Sequence, residues 1–245
     1  MAGHSHWSKI KRAKGANDAK RGKIWSKIAR KIIISSRSGG GDPRENLNLR
    51  YLIDEARAVN MPKDTIEKAI AKGTGELGGE SFEAFVYEGY GPSGVAFMVE
   101  GLTNNKTRTA PEMRRIFEMA GGNLATSGAV AFQFVKQGII AVKKDAIAED
   151  QLIEQALEAG AEDVKSDGEV FEVITTPAAF LKVKEALTTM NIPIEAAEVT
   201  NIPSNTVTVQ GDLAQRILKM IDTFEDHDDV QSVSHNAEIP DSVTV

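Results

Sequence analysis

Eleven basic side chains crowd the first 38 residues of this chain: Lys9, Lys11, Arg12, Lys14, Lys20, Arg21, Lys23, Lys27, Arg30, Lys31 and Arg37. Asp18 is the only acid among them. This stretch therefore carries +10, and the rest of the chain, whose total is −6, carries −16. Clustered cations of this density bind a phosphate backbone by releasing its condensed counterions, without reading bases. Their contrast with an acidic body points to one nucleic-acid-facing end on a self-repelling globule.

Two further groups carry chemistry. The turn Gly89-Tyr90-Gly91-Pro92-Ser93-Gly94 combines glycines, which let backbone approach a partner, with a stiffening proline and an aromatic face for stacking. It reads either as a second contact, through Tyr90, Gly91, Pro92 and Ser93, or as a plain hairpin turn. Asn104, Asn105, Lys106, Arg108, Arg114 and Arg115 surround the start and outer face of the next helix. Free N–H groups and guanidinium forks there suit a phosphate, and a solvated helix surface is the alternative.

Other chemistries find no support in the residues. With no cysteine, disulfides, thiolate zinc sites and cysteine nucleophiles are excluded. His4 and His6 supply two nitrogen ligands, too few for a dedicated metal site. Glu225, Asp226, His227, Asp228, Asp229 and His235 lack the spacing of a calcium loop and read as a solvated acidic surface. Walker, dinucleotide-binding, G-x-S-x-G and H-E-x-x-H sequences are absent, so neither an enzyme nor a cofactor is expected. No apolar run is long enough to span a bilayer, and the N-terminus lacks a signal-peptide core, so a cytoplasmic protein is expected.

These residues need elements to hold them. Residues 1–21 have almost no apolar period and read as an extended arm, with Trp7 and Ile10 as anchors or stacking faces. From residue 22, Ile24, Trp25, Ile28, Ala29, Ile32 and Ile33 recur at helical spacing, with Lys23, Lys27, Arg30 and Lys31 mostly off that stripe. SRSGGGDPREN breaks this helix. A second is expected over about 44–59, and a third from Pro62 to a cap at Gly73.

After Ser81 the pattern becomes α+β. Strands flank the GPSG turn, a helix ends at Gly121-Gly122, and VAFQFV reads as another strand. Residues 137–200 then hold a complete β-α-β-β-α-β series with helices over 149–159 and 177–189, the ferredoxin-like order. The tail adds a strand, a helix over 211–224 and the strand VQSVSHN. Residues 94–136 supply only half a unit, and the tail supplies the missing half. The economical arrangement is an arm at 1–21, a helical domain at 22–77, a middle domain of 78–136 plus 203–245, and a ferredoxin-like domain inserted at 137–202. Three domains in simple succession would leave unpaired sheet edges.

Several segments carry a resemblance. The opening GHSHW with AKGANDAKRGKIWSKIARKI, then GGGDP at 39–43, NMPKDTIEKAI at 60–70, YEGYGPSG at 87–94, and Asn105, Arg108 and Thr109 are one part of it. GGNL at 121–124, ALEAGAEDV at 156–164 and the run from Asp226 to Asn236 are the other. Together they are similar to the YebC family over essentially the whole length. The departures are His6, where the family more often has lysine, and the Ser8-Lys9-Ile10 segment. The resemblance implies a helical N-terminal domain followed by two α/β domains. It also implies nucleic-acid-linked regulation. Family members are described as DNA-binding transcriptional regulators, a mitochondrial relative as a translational activator, and bacterial members as aiding translation through proline-rich sequences.

The expected partner is thus nucleic acid, either DNA or ribosomal or transfer RNA, with the ribosome as a further candidate. No membrane, metal or small-molecule substrate is expected. The expected contacts are Lys9, Lys11, Arg12, Lys14, Lys20, Arg21, Lys23, Lys27, Arg30 and Lys31. A second set comprises Tyr90, Gly91, Pro92, Ser93, Asn105, Lys106, Arg108 and Arg114.

Overall fold

The computed structural model describes residues 21–78 and 81–240. The chain forms two compact units, one over 132–206 and the other built from the segments on either side of it.

The flanking unit begins with three helices: α1 (Arg21–Gly39), α2 (Leu47–Ala58) and α3 (Lys63–Thr74). Their apolar stripes meet in one core around Ile28, Ile32, Leu49, Ile53, Ile66 and Ala69. The Asn46 side chain caps α2 by accepting from the Leu49 N–H at 3.0 Å, and its Nδ2 donates to the carbonyls of Ser35 and Gly40, each at 2.9 Å. One asparagine thus ends α1 and starts α2, so the second helix begins at 47 and not at 44. Gly73 is not the cap of α3, contrary to the sequence reading. A Cβ there would lie 2.5 Å from the Ile33 carbonyl, so Gly73 is the point where α3 presses on α1. The cap is Gly75, at φ 90°.

The same unit continues with β1 (Glu83–Tyr90), β2 (Ala96–Thr103), α4 (Lys106–Met119) and β3 (Asn123–Leu124). After residue 206 it resumes with β8 (Val207–Thr208), α7 (Gly211–Glu225), β9 (Val230–His235) and β10 (Ala237–Glu238). The sheet order is β3-β1-β2-β9, all antiparallel. Beneath α4 and α7 lies an aromatic core in which Phe117 and Phe224 stack at 5.0 Å and Phe97 sits 6.2 Å from each. This is the ferredoxin-like strand order with the chain permuted, so that β1, first in the chain, takes the place of the fold's third strand.

VAFQFV does not supply the strand after α4. That strand is Asn123–Leu124, and Ala131–Gln133 forms a 3-10 turn. A Cβ at Gly122 would lie 2.2 Å from the Tyr90 carbonyl, so the chain can fold back onto β1 at once.

The unit over 132–206 contains β4 (Phe134–Lys143), α5 (Glu149–Ala159), β5 (Asp163–Asp167), β6 (Val170–Thr175), α6 (Phe180–Thr189) and β7 (Ile194–Pro203). Its order, β5-β6-β4-β7 with every pair antiparallel, is the regular ferredoxin-like sheet. Ile140, Val142, Phe171 and Val173 pack against Leu152, Ala156, Val183 and Leu187 from the two helices. Phe134 pairs with Pro203, so the chain enters and leaves this unit side by side. That geometry lets a compact unit interrupt the chain of the other. The α+β class with a leading helical domain is therefore as expected from the sequence.

Candidate nucleic-acid interface

Helix α1 buries Ile28, Ile32 and Ile33, and Trp25 Nε1 donates to the Val59 carbonyl at 3.1 Å. With that face fixed, Lys23, Lys27 and Arg30, spaced four and three residues apart, share a stripe of their own. All three reach the C-terminal end of α7. Lys23 Nζ donates to the Asp226 carbonyl at 3.0 Å and lies 3.5 Å from its carboxylate. Lys27 Nζ donates to the Glu225 carbonyl at 2.6 Å. Arg30 donates to the Asp228 carbonyl and lies 3.3 Å from Asp229 Oδ1. The carbonyls at a helix C-terminus carry the negative end of its dipole, so cations are favoured there. Burial lowers the Lys27 pKa, although Glu225 and Asp226 act to raise it. Lys31 pairs with Glu55 at 3.4 Å, away from this corner.

Asp229 is the hub of the corner. It is only 1% exposed, which corrects the reading of this acidic stretch as uniformly solvated. Its Oδ2 accepts from Arg108 Nη2 at 2.6 Å, from Thr109 Oγ1 at 2.8 Å and from Thr103 Oγ1 at 2.9 Å. Burial opposes ionisation, but the Arg108, Thr109 and Thr103 hydrogen bonds outweigh it and hold the carboxyl below the usual range. The same bond raises the Arg108 pKa. Asn105 caps α4, its Oδ1 accepting from the Arg108 N–H at 3.1 Å. The Asn105, Arg108, Thr109 set and the run from Asp226 are thus two halves of one polar joint between the start of α4 and the turn before β9.

His227 completes it. Its Nδ1 accepts from the Asp229 N–H at 3.1 Å, so in the neutral ring Nε2 bears the proton and donates to Glu112, 3.0 Å away. A cleft of about 500 Å³ opens here, lined by Lys23 and Arg30 from α1, Arg108 and Glu112 from α4, and residues 226–229. The two sets of cations that the sequence placed apart, Lys23 and Arg30 on one side and Arg108 on the other, therefore converge on one opening.

The Gly-Pro turn is positioned by packing. A Cβ at Gly89 would lie 2.5 Å from the Phe117 ring, and one at Gly91 2.7 Å from Phe97. Pro92 is buried. Tyr90 is half-buried, and its hydroxyl donates to the Ala129 carbonyl at 2.9 Å. Ser93, exposed at the tip, adopts φ 59°. Glu88, which sequence reasoning passed over, is buried beneath this turn. Its carboxylate accepts from the N–H groups of Gly128 (2.7 Å), Val130 (2.8 Å) and Ala131 (2.8 Å). Burial works against its ionisation, yet these three donors keep its pKa below the normal glutamate value. A charged residue inside an otherwise alternating apolar strand was the available signal.

Lys106 pairs with Glu83 at 2.7 Å, while Arg114 and Arg115 are exposed on α4. Lys9, Lys11, Arg12, Lys14, Lys20 and the Arg21 side chain lie outside the described residues, as do His4 and His6. Among the described residues no three His, Asp or Glu side chains are placed to hold a metal ion, and no helix is long and apolar enough to cross a membrane.

Comparison with known proteins places this geometry. The model of the TACO1/YebC N-terminal domain matches residues 5–76, and that of the TACO1/YebC second and third domain matches residues 82–237. A protein of Desulfatibacillum aliphaticivorans named probable transcriptional regulatory protein is 53% identical over 241 residues, 98% of each chain. One of the same name from Dictyoglomus turgidum is 50% identical over 244 residues, covering 99% of this chain and 98% of its own. The crystal structure of a conserved hypothetical protein from Aquifex aeolicus superposes with a TM-score of 0.82 at 45% identity, covering 92% of this chain and 93% of that one.

Proposed function

This chain belongs to the TACO1/YebC family, and we propose that it is a non-enzymatic, cytoplasmic regulator of gene expression that grips nucleic acid by its phosphates. The observation that carries this reading is the charge division: eleven cations against one acid in residues 1–38, on a chain whose remainder is strongly negative. Phosphate contact needs no more than that. The names of the relatives, probable transcriptional regulatory proteins, support the regulatory role.

One observation favours RNA or the ribosome over duplex DNA as the partner. Groove reading needs a helix face free to enter the duplex. The most basic helix, α1, buries its apolar stripe and commits Lys23, Lys27 and Arg30 to the end of α7. Helices α2 and α3 carry mixed charge, with Asp54 and Glu55 beside Arg57 and with Asp64 and Glu67 among Lys63, Lys68 and Lys72. First contact then falls to the cations of residues 1–21, and phosphate contact without groove reading suits RNA surfaces.

Sedimentation of lysate through a sucrose gradient at near-physiological salt tests this. The full chain is expected to co-migrate with ribosomes, and a variant with Lys9, Lys11, Arg12 and Lys14 all changed to Ala is expected to stay at the top. Full-length protein at the top of the gradient would return the reading to DNA. Ribosome association unchanged in the variant would refute arm-led binding.

A further inference from the structure

Lys23, Lys27 and Arg30 all point at one target. Each donates to a main-chain carbonyl at the end of α7, those of Asp226, Glu225 and Asp228 respectively. Two carboxylates, Asp226 and Asp229, lie within 3.5 Å of the Lys23 and Arg30 nitrogens. Oxygens presented in a row to cations one helical turn apart are what a phosphodiester backbone offers. The apolar cores on the two sides are separate. The core of α1–α3 includes Trp25 through Phe82, the core of the β3-β1-β2-β9 sheet includes Phe85 through Ile239, and no described residue is common to both. The contacts of Lys23, Lys27 and Arg30 at this corner are hydrogen bonds and ion pairs, of the kind a polyanion can replace.

We infer that the 225–229 corner is an internal stand-in for nucleic acid, and that a polyanion reaches Lys23, Lys27 and Arg30 by displacing it, which frees α1 from the end of α7. This inference rests on the nucleic-acid reading and adds a concealed second half to the binding surface. The three α1 cations become available to the polyanion as the corner opens. The cleft that Lys23, Arg30 and Arg108 line also carries Glu112, Asp226, Asp228 and Asp229, so a phosphate enters it only as the 225–229 corner withdraws. Burial of Lys27 agrees with this: its ammonium is held where ionisation is disfavoured, so transfer to a solvated phosphate relieves a cost.

The absence of native cysteine makes the test clean. Lys23→Cys together with Asp226→Cys creates the only two thiols in the chain. A short bis-methanethiosulfonate reagent joins them through disulfides, and dithiothreitol releases them. The full-length protein is titrated against fluorescein-labelled polyuridine by anisotropy, cross-linked and released. Because the sequence is the same in both states, loss of the Lys23 charge cancels, and the released form is the folded reference. The expected result is a Kd about tenfold weaker when cross-linked, restored on release. Equal affinity in the two states would overturn the inference and leave the nucleic-acid reading intact. Failure of the unmodified chain to bind polyuridine or duplex DNA would overturn both.

Discussion

The sheets β5-β6-β4-β7 and β3-β1-β2-β9 follow the same spatial order, yet they are built for different work. The first is regular in its connectivity, with apolar residues from two helices and two strands filling its core. Its unit, residues 132–206, contains thirteen acids, six lysines and no arginine. The second is permuted and keeps ionised carboxylates inside: Glu88 under the Gly-Pro turn, and Asp229 between α4 and β9. A buried charge is tolerated when donors and opposite charges surround it, as three N–H groups do for Glu88 and as Arg108, Thr103, Thr109 and the nearby Arg30 do for Asp229. The regular sheet is a packed body. The permuted sheet is a frame that fixes α4, the Gly-Pro turn and the end of α7 so that α1 has a surface to meet. β1 lies between β3 and β2, so that one strand ending in Gly89-Tyr90 supports both the turn and the 122–131 loop.

This contrast is tested most strongly at Asp229. Asp229→Ala removes the acceptor that Arg108, Thr103 and Thr109 share, and it is expected to cost about 2 kcal/mol. Urea unfolding followed by far-UV circular dichroism measures it. A loss near zero would mean that the joint is dispensable. Next, Gly122→Ala is expected to cost about 2 kcal/mol, because the new Cβ meets a backbone carbonyl that cannot yield. Hydrogen exchange should show increased opening in β1 and β3 and little change in β4 and β6.

Acid should separate the sheets as well. The Glu88 and Asp229 pKa values are both depressed in the folded protein. Such groups stabilise the fold above their unfolded pKa values, and the contribution is lost as pH falls toward the folded ones. Amides of β1, β2 and β9 are therefore expected to lose protection below about pH 4 before those of β4 and β6. The reverse order would break the comparison. The smallest effect belongs to the regular sheet. Lys143→Ala, which removes the pair between the exposed Lys143 and the half-buried Glu195, should change stability by less than about 1 kcal/mol.

Much of this architecture was legible in the sequence. Ile28, Ile32, Leu49, Ile53, Ile66 and Ala69 point to three amphipathic helices, and the apolar segments GIIAVKK, EVFEVITT and IEAAEVT between helical stretches point to the strands β4, β6 and β7. The strand expected in the tail, VQSVSHN, is β9, and it pairs with β2. Local pattern failed where tertiary contacts decide. Gly73 reads as a cap from spacing alone, since only the Ile33 carbonyl across the helix pair reveals its purpose. VAFQFV has strand composition, but the Val130 and Ala131 amides are taken by Glu88.

The site was legible as charge and not as geometry. Lys23, Lys27 and Arg30 were visible as cations, but their partners lie about 200 positions along the chain, at |i−j| of 203 for Lys23 and 198 for Lys27 and Arg30. The acids of 225–229 looked like solvated surface because no local rule joins Asp229 to Thr103, Arg108 and Thr109. Their shared purpose appears only once β2, α4 and β9 are side by side.

The claim that matters most is that residues 1–38 hold nucleic acid through phosphates. Its most direct test is the salt dependence of polyuridine binding by the full chain and by the variant with Lys9, Lys11, Arg12 and Lys14 replaced by Ala. Each lost phosphate contact on a single strand lowers the slope of log K against log salt by about 0.7, so the variant's slope should be shallower by about 3. A variant that keeps the slope and affinity of the unmodified chain would contradict the account.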